Sequence, residues 1–597
     1  MTETQGPDPV SHAAADWLRA RLASGARLTA DSRRVHRGDA FFAWPGAAVD
    51  GRRFCEAARA AGAAALVVEA DGWDAFAAPA AAANGAATAA ATRPATRSAT
   101  GAATEAATGA ATGAATGAAT GAATEVATAA ATDGGAETTL TVANLRARAG
   151  PIASVWLGEP SLRLAVVAVT GTNGKTSCTH WIAAGWNTRH GSVAPVGRGG
   201  SDGPIGGDGT ATGDRAVVIG TLGQGVPGRL ESSARLTTPD ALEIQQSLAR
   251  FAAAGIELAA IEASSIGLIQ HRLDGTRIAV AVMTNLTRDH LDAHGTMAEY
   301  AAAKGRLFDW HGLGAAVVNL DDAAAAAMLG RVASGTRRIG YSIRADASGP
   351  MTGASSGIAV DDRIGAGEPA ADGSFVLSIG TVKRNVRLQV IGGFNRSNAL
   401  AVAGVWHALG WTPDAIVRGL EGLRPVPGRL QMVGDVDDGT RPLVVVDYAH
   451  TPDALANVLT SLRPIATRRG GRLWCVFGAG GDRDRGKRAP MAAAVEAHAD
   501  YLVLTSDNPR SEDPARILAD LEAGLTKPAR AVEPDRAGAI GTAVLEAAAA
   551  DVVLVAGKGH EDYQEIAGVR HSFSDVAVAQ AIHAGLAGDR HHGNRDG

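Results

Sequence analysis

The pattern of apolar and polar positions changes near residue 160, where short apolar runs begin to alternate with amphipathic stretches. The run at 164–169, LAVVAV, is short, rich in valine and followed by glycines, which is typical of a buried parallel strand. The same reasoning predicts strands at 257–261, 278–283 and 315–319, and helices at 241–254 and 297–308. Because strands and helices alternate, the sequence predicts a doubly wound α/β sheet.

A second set of apolar runs begins near residue 425 and predicts a further sheet. Its strands are predicted at 443–446, 473–477, 501–505 and 552–556. Since 597 residues are too many for one hydrophobic core, we predict three domains, at 1–160, 161–424 and 425–597. Ligands of open α/β sheets bind at the carboxyl ends of strands, so the loops after these strands are candidate binding sites.

One segment of the first domain has very low complexity. A GAAT-like tetrad repeats between Gly101 and Thr132, and the flanks, from about residue 77 to 136, are nearly all alanine, threonine and glycine. Few side chains there could anchor a core, and threonine and glycine oppose the helix that alanine favours. We predict a mobile insertion without a catalytic role.

Composition and charge exclude several classes of protein. Hydrophobic residues make up 46% of the chain and the net charge is −5, so no overall basic field would hold nucleic acid. Cys55, Cys178 and Cys475 lack CxxC spacing, which argues against a disulfide framework or a cysteine zinc site. With no signal-peptide pattern and no apolar run of about 20 residues, we expect a cytoplasmic monomer without membrane insertion.

The most informative motif is TGTNGKTS at 170–177, placed between the predicted strand at 164–169 and a predicted helix. Its glycines let backbone N–H groups face a phosphate, Lys175 adds a positive charge, and the Thr176 hydroxyl can bind magnesium. Val169 stands where the generic phosphate-binding loop has glycine, so a turn that only begins a helix is the alternative. We predict ATP binding by Gly171, Thr172, Asn173, Gly174, Lys175, Thr176 and Ser177.

Polar residues also follow the next two predicted strands. Glu262 comes after the strand at 257–261, and TNLTRDHLD at 284–292 follows the strand at 278–283. Magnesium prefers oxygen ligands and retains waters, so Glu262 with Thr176 and nucleotide phosphates would suffice. His290 is a less usual magnesium ligand, and a lone histidine after a strand is more often structural. Lys304, in YAAAK at 300–304, could simply face solvent on a helix.

The order of these motifs resembles the Mur ligase family, and TGTNGKT is also similar to the related folylpolyglutamate synthetases. The resemblance implies a three-domain α/β architecture, with a central P-loop ATPase-like doubly wound sheet and a C-terminal Rossmann-like domain. It further implies that Lys304 is carbamylated, so that its carbamate joins Thr176, Glu262 and His290 in binding Mg²⁺. The catalytic residues that it implies are Lys175, Glu262, His290 and Lys304.

Three later segments extend this resemblance. IGGFNRSN at 391–398, PGRL at 427–430 and DYAHTP at 447–452 are similar to family segments that approach the nucleotide. The resemblance implies that Asn395, Arg429 and Asp447 contact ATP, with His450 nearby.

The loops after three C-terminal strands resemble the subgroup of the family that adds meso-diaminopimelate. GDRD at 481–484, DNPR at 507–510 and GKGHEDY at 557–563 carry this similarity. A guanidinium suits the second carboxylate of diaminopimelate, which lysine lacks. A polar turn is the alternative for DNPR taken alone. The implied diaminopimelate-binding residues are Arg483, Asp507, Asn508, Pro509, Arg510, Gly557 and Glu561.

The other substrate implied by the resemblance is UDP-N-acetylmuramoyl-L-alanyl-D-glutamate. Asp31-Ser32-Arg33 and the following GDAFFA and DGRRF segments are similar to the family's N-terminal UDP-binding domain. Leu236 and Ile266 depart from the family, which has asparagine and histidine there. The implied UDP-sugar-peptide contacts are Ala30, Ser32, Ala47, Ala48, Val49, Thr237, Thr238, Ser264, Gln270 and Arg272.

The resemblance implies ATP-dependent ligation through an acyl phosphate on the D-glutamate side chain, which the amine of diaminopimelate then attacks. The alternatives are the same ligase using L-lysine, a folylpolyglutamate-type ligase, and, in another class, a regulatory P-loop NTPase or an inactive binding module. The implied cofactor is Mg²⁺, with ATP as a substrate.

Overall fold

The structure, a computed structural model, describes residues 7–46, 49–76, 138–191, 213–231, 236–344, 358–370, 373–436 and 438–592. The predicted insertion at 77–136 and the candidate residues Ala47 and Ala48 lie outside this part of the chain. The protein divides into two compact units, Met1–Gly158 and Glu159–Gly597.

The first unit contains a four-stranded parallel sheet of order β1-β2-β3-β4. The apolar side chains of β2 and β3 pack on α2 and form its core. Its elements are α1 (Pro9–Arg19), β1 (Leu28–Thr29), β2 (Ala40–Ala43), α2 (Cys55–Ala60), β3 (Ala65–Glu69), β4 (Thr139–Val142) and α3 (Leu145–Trp156).

The second unit begins with an eleven-stranded central sheet of order β15-β14-β13-β12-β11-β10-β5-β9-β6-β7-β8. The strands are β5 (Ala165–Thr170), β6 (Ala216–Gly220), β7 (Gly223–Val226), β8 (Arg229–Glu231), β9 (Leu258–Glu262), β10 (Val280–Met283), β11 (Ala315–Asn319), β12 (Arg337–Ser342), β13 (Asp362–Ala366), β14 (Phe375–Ile379) and β15 (Val382–Val386). The strands from β6 to β13 in the sheet pair in parallel, and antiparallel strands extend both edges.

Apolar side chains cover both faces of this central sheet, as parallel strands require. The helices of this region are α4 (Lys175–Arg189), α5 (Ala241–Ala253), α6 (Ser265–Ile269), α7 (Leu291–His294), α8 (Met297–Gly305), α9 (Ala325–Arg331), α10 (Gly393–Ala408) and α11 (Pro413–Glu421). Helices α4 and α10 pack on one face, and α5 and α9 on the other. The loops that follow β5, β9 and β10 therefore open at one edge of the sheet.

A six-stranded C-terminal sheet of order β16-β17-β21-β18-β19-β20 completes the second unit. Its strands are β16 (Gln431–Val433), β17 (Leu443–Asp447), β18 (Leu473–Phe477), β19 (Tyr501–Leu504), β20 (Ala531–Val532) and β21 (Val552–Ala556), followed by the hairpin β22 (Tyr563–Ile566) and β23 (Val569–Ser572). Its helices are α12 (Pro452–Arg469), α13 (Arg488–His498), α14 (Pro514–Glu522), α15 (Arg536–Glu546) and α16 (Asp575–His592). Within the six-stranded sheet, all strands except β16 run parallel.

The predicted α/β architecture is confirmed, and each predicted strand is present within a few residues of its predicted bounds. Two predicted bounds differ from the structure by more than one residue. Residues 278 and 279 continue the apolar run but precede β10, because β10 pairs with β5 and β11 from Val280 onward. Helix α8 ends at Gly305 rather than 308. No helix in the described part of the chain combines the length and apolarity needed to cross a membrane.

Candidate active site

The loop between β5 and α4 depends on glycine at Gly171 and at Gly174, whose φ is 88°. Gly171 has a φ of 144°, and a methyl group added there would overlap the Thr284 hydroxyl. Lys175, the first residue of α4, donates from Nζ to the carbonyl oxygens of Gly171 and Thr172, both at 2.9 Å. The loop thus places a lysine ammonium at the amino end of a helix, where the free N–H groups and the helix dipole attract anions such as phosphate.

The segment after β10 supports this loop. The backbone N–H of Thr172 donates to the carbonyl oxygen of Asn285 at 2.8 Å, and the N–H of Asn173 donates to Asn285 Oδ1 at 2.9 Å. Thr284 Oγ1 donates to the carbonyl oxygen of Asn173 at 2.6 Å. The TNLT part of TNLTRDHLD therefore shapes the phosphate loop, in addition to leading to His290.

Glu262, at the end of β9, is almost fully buried beside the start of α4. Thr176 Oγ1 donates to Glu262 Oε2 at 3.0 Å, and the N–H of Thr221 donates to Glu262 Oε1 at 2.9 Å. From the C-terminal part of the unit, Arg429 Nη2 donates to Thr176 Oγ1 at 3.1 Å. Burial lowers the pKa of Lys175, and the Glu262 carboxylate opposes that shift. The predicted residues Lys175, Thr176, Glu262 and Arg429 therefore meet at one point.

His290 has a left-handed backbone, with a φ of 53°, at the start of α7. Desolvation lowers its pKa to about 4, so the imidazole is neutral at physiological pH and has a lone pair for a metal. Its neighbour Asp289 is buried, with Oδ2 3.4 Å from His290 Nε2 and 3.7 Å from His450 Nε2. Burial raises the pKa of Asp289, but the nearby imidazole of His450 and the other charges lower it overall, so Asp289 is ionised.

Lys304 is buried rather than exposed, so the alternative of a solvent-facing lysine is wrong. A capping box between Thr296 and Glu299 starts α8 and sets the face on which Lys304 lies. The Lys304 Nζ donates to the carbonyl oxygen of Gly171 at 2.8 Å and lies 4.4 Å from the centre of the Tyr300 ring. Burial holds the pKa of Lys304 well below its usual value, which favours the unprotonated amine.

A cleft of about 230 Å³ between the strand ends of the central and C-terminal sheets is lined by Lys175, Thr176, Glu262, Asp289, His290 and Arg429. Asp447, at the end of β17, accepts hydrogen bonds from the N–H groups of Leu430 and Ala449, both at 2.7 Å. Burial raises the pKa of Asp447, and the Arg429 guanidinium opposes that shift. The C-terminal side of the cleft is lined by Asp447, Tyr448, His450, Asp453 and Asn457. Such a cleft, with cationic and acidic groups facing each other, can bind a nucleotide with its metal.

Asn395 lies beside the cleft, where it lines a smaller cavity together with Arg429. Its Nδ2 donates to the carbonyl oxygen of Ile391 at 2.8 Å. Asn398, one turn later on α10, is the asparagine of this helix that lines the cleft, and its amide lies against Gly174. The segment that the sequence singled out is thus near the phosphate loop, with Asn398 closest to it.

Two strand-end loops of the C-terminal sheet are joined through Lys558. Its Nζ donates to Glu561 Oε2 at 2.8 Å and to Asn508 Oδ1 at 3.1 Å, while Asn508 Nδ2 donates to the same Glu561 oxygen at 2.8 Å. Burial raises the pKa of Asp507, but the charges of Lys558 and Arg536 lower it overall. The predicted loops therefore form a single polar pocket wall with a carboxylate that can accept from an ammonium group.

Arg510 completes this wall from a strained backbone position. Its φ is 54°, and its Nη1 donates to the carbonyl oxygen of Gly481 at 2.6 Å. Left-handed arginine persists where surrounding contacts hold it, and such strain is common at binding sites. Arg483 flanks the same loop with an exposed side chain. The predicted residues brought together here are Asp507, Asn508, Pro509, Arg510, Gly557 and Glu561.

On the opposite side, residues predicted to meet the sugar-peptide substrate surround the end of β9. Thr238 Oγ1 donates to the carbonyl oxygen of Glu262 at 2.6 Å and lies 2.9 Å from Ser264 Oγ. Arg272 donates to the carbonyl oxygen of Thr238 at 2.7 Å and to Gln270 Oε1 at 2.6 Å. These contacts hold Arg272 at the rim, where a guanidinium can meet a carboxylate.

The two departures from the family lie near this rim. Leu236 is 42% exposed, and Ile266 is half-buried on α6. Thr237, beside Leu236, lines the cleft and accepts a hydrogen bond from Thr221. The two apolar side chains therefore add no hydrogen-bonding groups at places where the family has an amide and an imidazole.

In the first unit, Ser32 begins a short 3₁₀ turn, Ser32–Arg34, after Ala30 and Asp31. The Asp31 carboxylate accepts from the N–H of Arg33 at 3.0 Å and fixes this turn. Val49 is 51% exposed beside the two undescribed alanines. The 3₁₀ turn and the exposed Val49 side chain are the described parts of the predicted UDP subsite.

The comparisons with known proteins agree with this geometry. The sequence model of the Mur ligase middle domain matches residues 169–406, that of the Mur ligase glutamate ligase domain matches 428–559, and that of the Mur ligase family catalytic domain matches 26–106. The UDP-N-acetylmuramoyl-L-alanyl-D-glutamate--2,6-diaminopimelate ligase of Acidovorax sp. (strain JS42) is 42% identical over 576 residues, which cover 96% of this chain and 97% of that protein. The chain belongs to the Mur ligase family.

Two further similarities support the assignment. The equally named ligase of Ralstonia nicotianae (strain ATCC BAA-1114 / GMI1000) is 41% identical over 94% of this Mur ligase and 93% of that protein. A solved structure of a UDP-N-acetylmuramoyl-L-alanyl-D-glutamate--2,6-diaminopimelate ligase has 33% identity and a TM-score of 0.56, covering 94% of this chain and 95% of that one. The predicted three-domain Mur ligase architecture is confirmed, and as a member of this family the chain is an ATP-dependent ligase.

Two lysines of this Mur ligase were missed in the sequence. Lys558 stands in the GKGHEDY segment after β21, and a lysine in a glycine-rich loop at a strand end was a usable signal. Lys487 lies 3.5 Å from Asp289, which is 198 residues away in the chain. No local sequence pattern predicts an ion pair between residues so far apart in the chain.

Proposed function

We propose that this Mur ligase joins meso-2,6-diaminopimelate to UDP-N-acetylmuramoyl-L-alanyl-D-glutamate with cleavage of ATP, in peptidoglycan precursor synthesis. The observation that carries the proposal is the near-complete match to relatives that are named as this ligase. ATP and UDP-linked precursors are cytoplasmic metabolites, so we place the reaction in the cytoplasm.

The nucleotide phosphates bind to the loop from Gly171 to Ser177. Lys175 offsets charge on the phosphoryl group being transferred, and the amino end of α4 adds positive potential. Arg429 reaches the same point from the C-terminal sheet, as its hydrogen bond to Thr176 supports. Asp447 and Asn395 lie next to Arg429 and complete the nucleotide-binding set.

Magnesium fits the oxygen donors at this point. The Thr176 hydroxyl and the Glu262 carboxylate are 3.0 Å apart, and both are buried at the head of the cleft. Within the described residues no three histidine, cysteine or acidic side chains converge as a metal cluster. Magnesium usually retains waters, and nucleotide phosphates would add oxygen ligands. Thr176, Glu262 and His290 would hold Mg²⁺, which supplies charge neutralisation at the phosphates when bound.

Lys304 completes the set as a carbamate. Its unprotonated amine adds to carbon dioxide: a C–N bond forms, a C=O π bond of carbon dioxide opens, and a proton leaves to solvent, so that a neutral amine becomes an anion with two oxygens. The burial of Lys304 and its lowered pKa support this step because only the neutral amine reacts. A carbamate at this position would present an oxygen ligand toward the phosphate loop.

The reaction has two steps. An oxygen of the D-glutamate side-chain carboxylate attacks the γ-phosphorus of ATP, and the bond to the β-phosphate oxygen breaks. This forms an acyl phosphate and releases ADP. The diaminopimelate amine then attacks the acyl carbon, the bond to the phosphate oxygen breaks, and a proton leaves as the amide forms. The enclosed cleft keeps water from the acyl phosphate.

Recognition of each organic substrate is assigned to a separate group of side chains. Glu561 accepts from the ammonium of diaminopimelate, and Arg483 and Arg510 pair with its distal carboxylate. Arg272, with Thr237, Thr238, Ser264 and Gln270, meets the peptide end of the UDP substrate. The UDP end is assigned to Ala30, Ser32, Ala47, Ala48 and Val49.

A direct assay tests this function. Purified protein is incubated with ATP, magnesium and the UDP-muramoyl-dipeptide, with either meso-diaminopimelate or L-lysine, and the product mass is measured. Lys175→Met serves as the control for phosphoryl transfer. We expect the diaminopimelate tripeptide from the wild type alone. Equal turnover of lysine would overturn the selectivity, and ATP hydrolysis without any tripeptide would favour a regulatory NTPase.

A further inference from the structure

Charged side chains from the C-terminal sheet meet the segment that precedes His290. The Lys487 ammonium lies 3.5 Å from Asp289 Oδ1, and His450 Nε2 lies 3.7 Å from Asp289 Oδ2. The Lys487 and Asp289 side chains are only 10% and 7% exposed. This is therefore a contact enclosed between the two sheets rather than a surface ion pair.

A second pair lies next to the first. Arg288 Nη2 is 3.6 Å from Asp484 Oδ2, and the other Asp484 oxygen accepts from the N–H of Gly486 at 2.9 Å. Asp484 is 12% exposed, whereas Arg288 is 51% exposed. Two consecutive residues of the central sheet, Arg288 and Asp289, thus face two nearby residues of one C-terminal loop with opposite charges.

The positions of Lys487 and Asp289 in the chain indicate which two loops the contact connects. Lys487 ends the 3₁₀ turn Arg485–Lys487, directly after the loop that carries Arg483. Asp289 lies between the phosphate-loop support at Asn285 and the imidazole of His290. The contact therefore connects the loop assigned to the incoming amino acid with the loop at the phosphates.

Charge burial explains why Lys487 matters for this arrangement. A buried carboxylate is costly unless it is paired, and removing one partner leaves that cost uncompensated. An unpaired Asp289 carboxylate carries this cost only when the two sheets are together, since Asp289 would be hydrated if they separated. Loss of Lys487 should therefore disfavour the arrangement in which the amino-acid loop lies over the cleft.

We propose that Lys487 and Asp289 form an interdomain contact that positions the amino-acid loop for attack on the acyl phosphate. Lys487 is a positioning residue in this proposal, since it touches Asp289 rather than a substrate. The proposal rests on the diaminopimelate ligation proposed above. It predicts a larger effect on amine attack than on nucleotide binding, because Lys487 directly follows the amino-acid loop and is not one of the residues assigned to the nucleotide.

The test compares Lys487→Met with wild type in steady-state ligation, nucleotide binding by calorimetry and thermal unfolding. We expect kcat/KM for diaminopimelate to fall about tenfold, as loss of a charged contact predicts. The Kd for ATP should stay within about twofold of wild type, since the phosphate loop is intact. Lys487→Arg should restore most of the loss because it keeps the charge.

Three controls keep the outcome clear. Lys527→Met makes the same change at an exposed lysine of the same domain, in the loop between α14 and β20, and should match wild type. Arg288→Gln, which removes an exposed partner, should reduce kcat/KM for diaminopimelate by less than about fivefold. The effects of Lys487→Met and Asp289→Asn should be non-additive in the double variant, since each removes the same contact.

Two results would overturn the proposed positioning role of the Lys487–Asp289 contact. One is wild-type kcat/KM for diaminopimelate in Lys487→Met. The other is a Lys487→Met variant that loses ATP affinity and ligation equally and unfolds at a lower temperature, with no recovery in Lys487→Arg. That result would mean that Lys487 has a structural role only. A wild-type protein that forms no tripeptide with any amino acid would instead refute the proposed function, and so the two failures are distinct.

Discussion

Lys175 and Lys304 donate hydrogen bonds to the same acceptor, the carbonyl oxygen of Gly171, at 2.9 and 2.8 Å. Two ammonium groups that share one carbonyl repel each other, and burial adds to this effect at both positions. Burial lowers the pKa values of both lysines, and the charge of Lys175 lowers the pKa of Lys304 further, to well below its usual value. The pair can therefore keep one cation, at Lys175, and one neutral amine, at Lys304.

The first prediction concerns the chemistry of Lys304. Lys304→Ala should reduce ligation by about a hundredfold or more, the usual cost of removing a group that stabilises transition-state charge. Lys304→Arg should be equally impaired, since arginine keeps the positive charge but forms no stable carbamate. Carbon-13 NMR with labelled carbon dioxide should show a carbamate signal in the wild type and none in Lys304→Arg. Full activity of either variant would contradict the carbamate.

The second prediction concerns the backbone of the phosphate loop. Gly171→Ala should abolish measurable ATP binding by calorimetry, because the methyl group would overlap the Thr284 hydroxyl and φ is 144°. Gly330→Ala is the matched control, since nothing lies within 4 Å of its added methyl group and it lies in α9. The control should bind ATP normally and gain up to about 1 kcal/mol of stability. Retained ATP affinity in Gly171→Ala would show that the loop can relax.

The third prediction concerns stability against pH. Burial and the Arg429 charge lower the pKa of His180 from 6.5 to about 4. Between these values the unfolded chain binds a proton that the folded protein does not, so the free energy of unfolding falls as pH falls below 6.5. Between pH 7 and 4.5 the wild type should lose about 2–3 kcal/mol more than His180→Gln. Urea unfolding at both pH values measures this, and equal losses would exclude His180 as the cause.

The fourth prediction concerns a buried ion pair beneath the amino-acid loops. Arg536 and Asp575 are fully buried and 2.7 Å apart, and Arg536 also donates to the carbonyl oxygens of Ser506 and Ala556. Asp575→Ala leaves an unpaired buried guanidinium and should cost about 3–5 kcal/mol in urea unfolding. It should also raise KM for diaminopimelate, because Ser506 and Ala556 immediately precede the loops at Asp507 and Gly557.

Asp562→Ala is the control for this pair. Asp562 is an exposed acidic residue of the same domain, in the loop between β21 and β22, so its loss should change the free energy of unfolding by less than about 0.5 kcal/mol. If Asp575→Ala were no less stable than Asp562→Ala, the pair would not organise the loops.

The sequence by itself determined the local units of this protein. The valine-rich run before TGTNGKTS predicted β5, the phosphate loop and α4, because strand, glycine turn and helix follow one another within a few residues. The sequence also placed Glu262 and His290 at one sheet edge, since both follow predicted parallel strands. Such features depend on neighbouring residues and on a general rule for parallel sheets.

Only the tertiary structure decided how distant side chains meet. Lys304 could face solvent or the core on its helix, and its hydrogen bond to Gly171 spans 133 residues. Arg429 reaches Thr176 across 253 residues, and Lys487 reaches Asp289 across 198. Periodicity describes which face of one element is apolar, but no local pattern encodes how α8 packs on the phosphate loop or how the two sheets pack against each other.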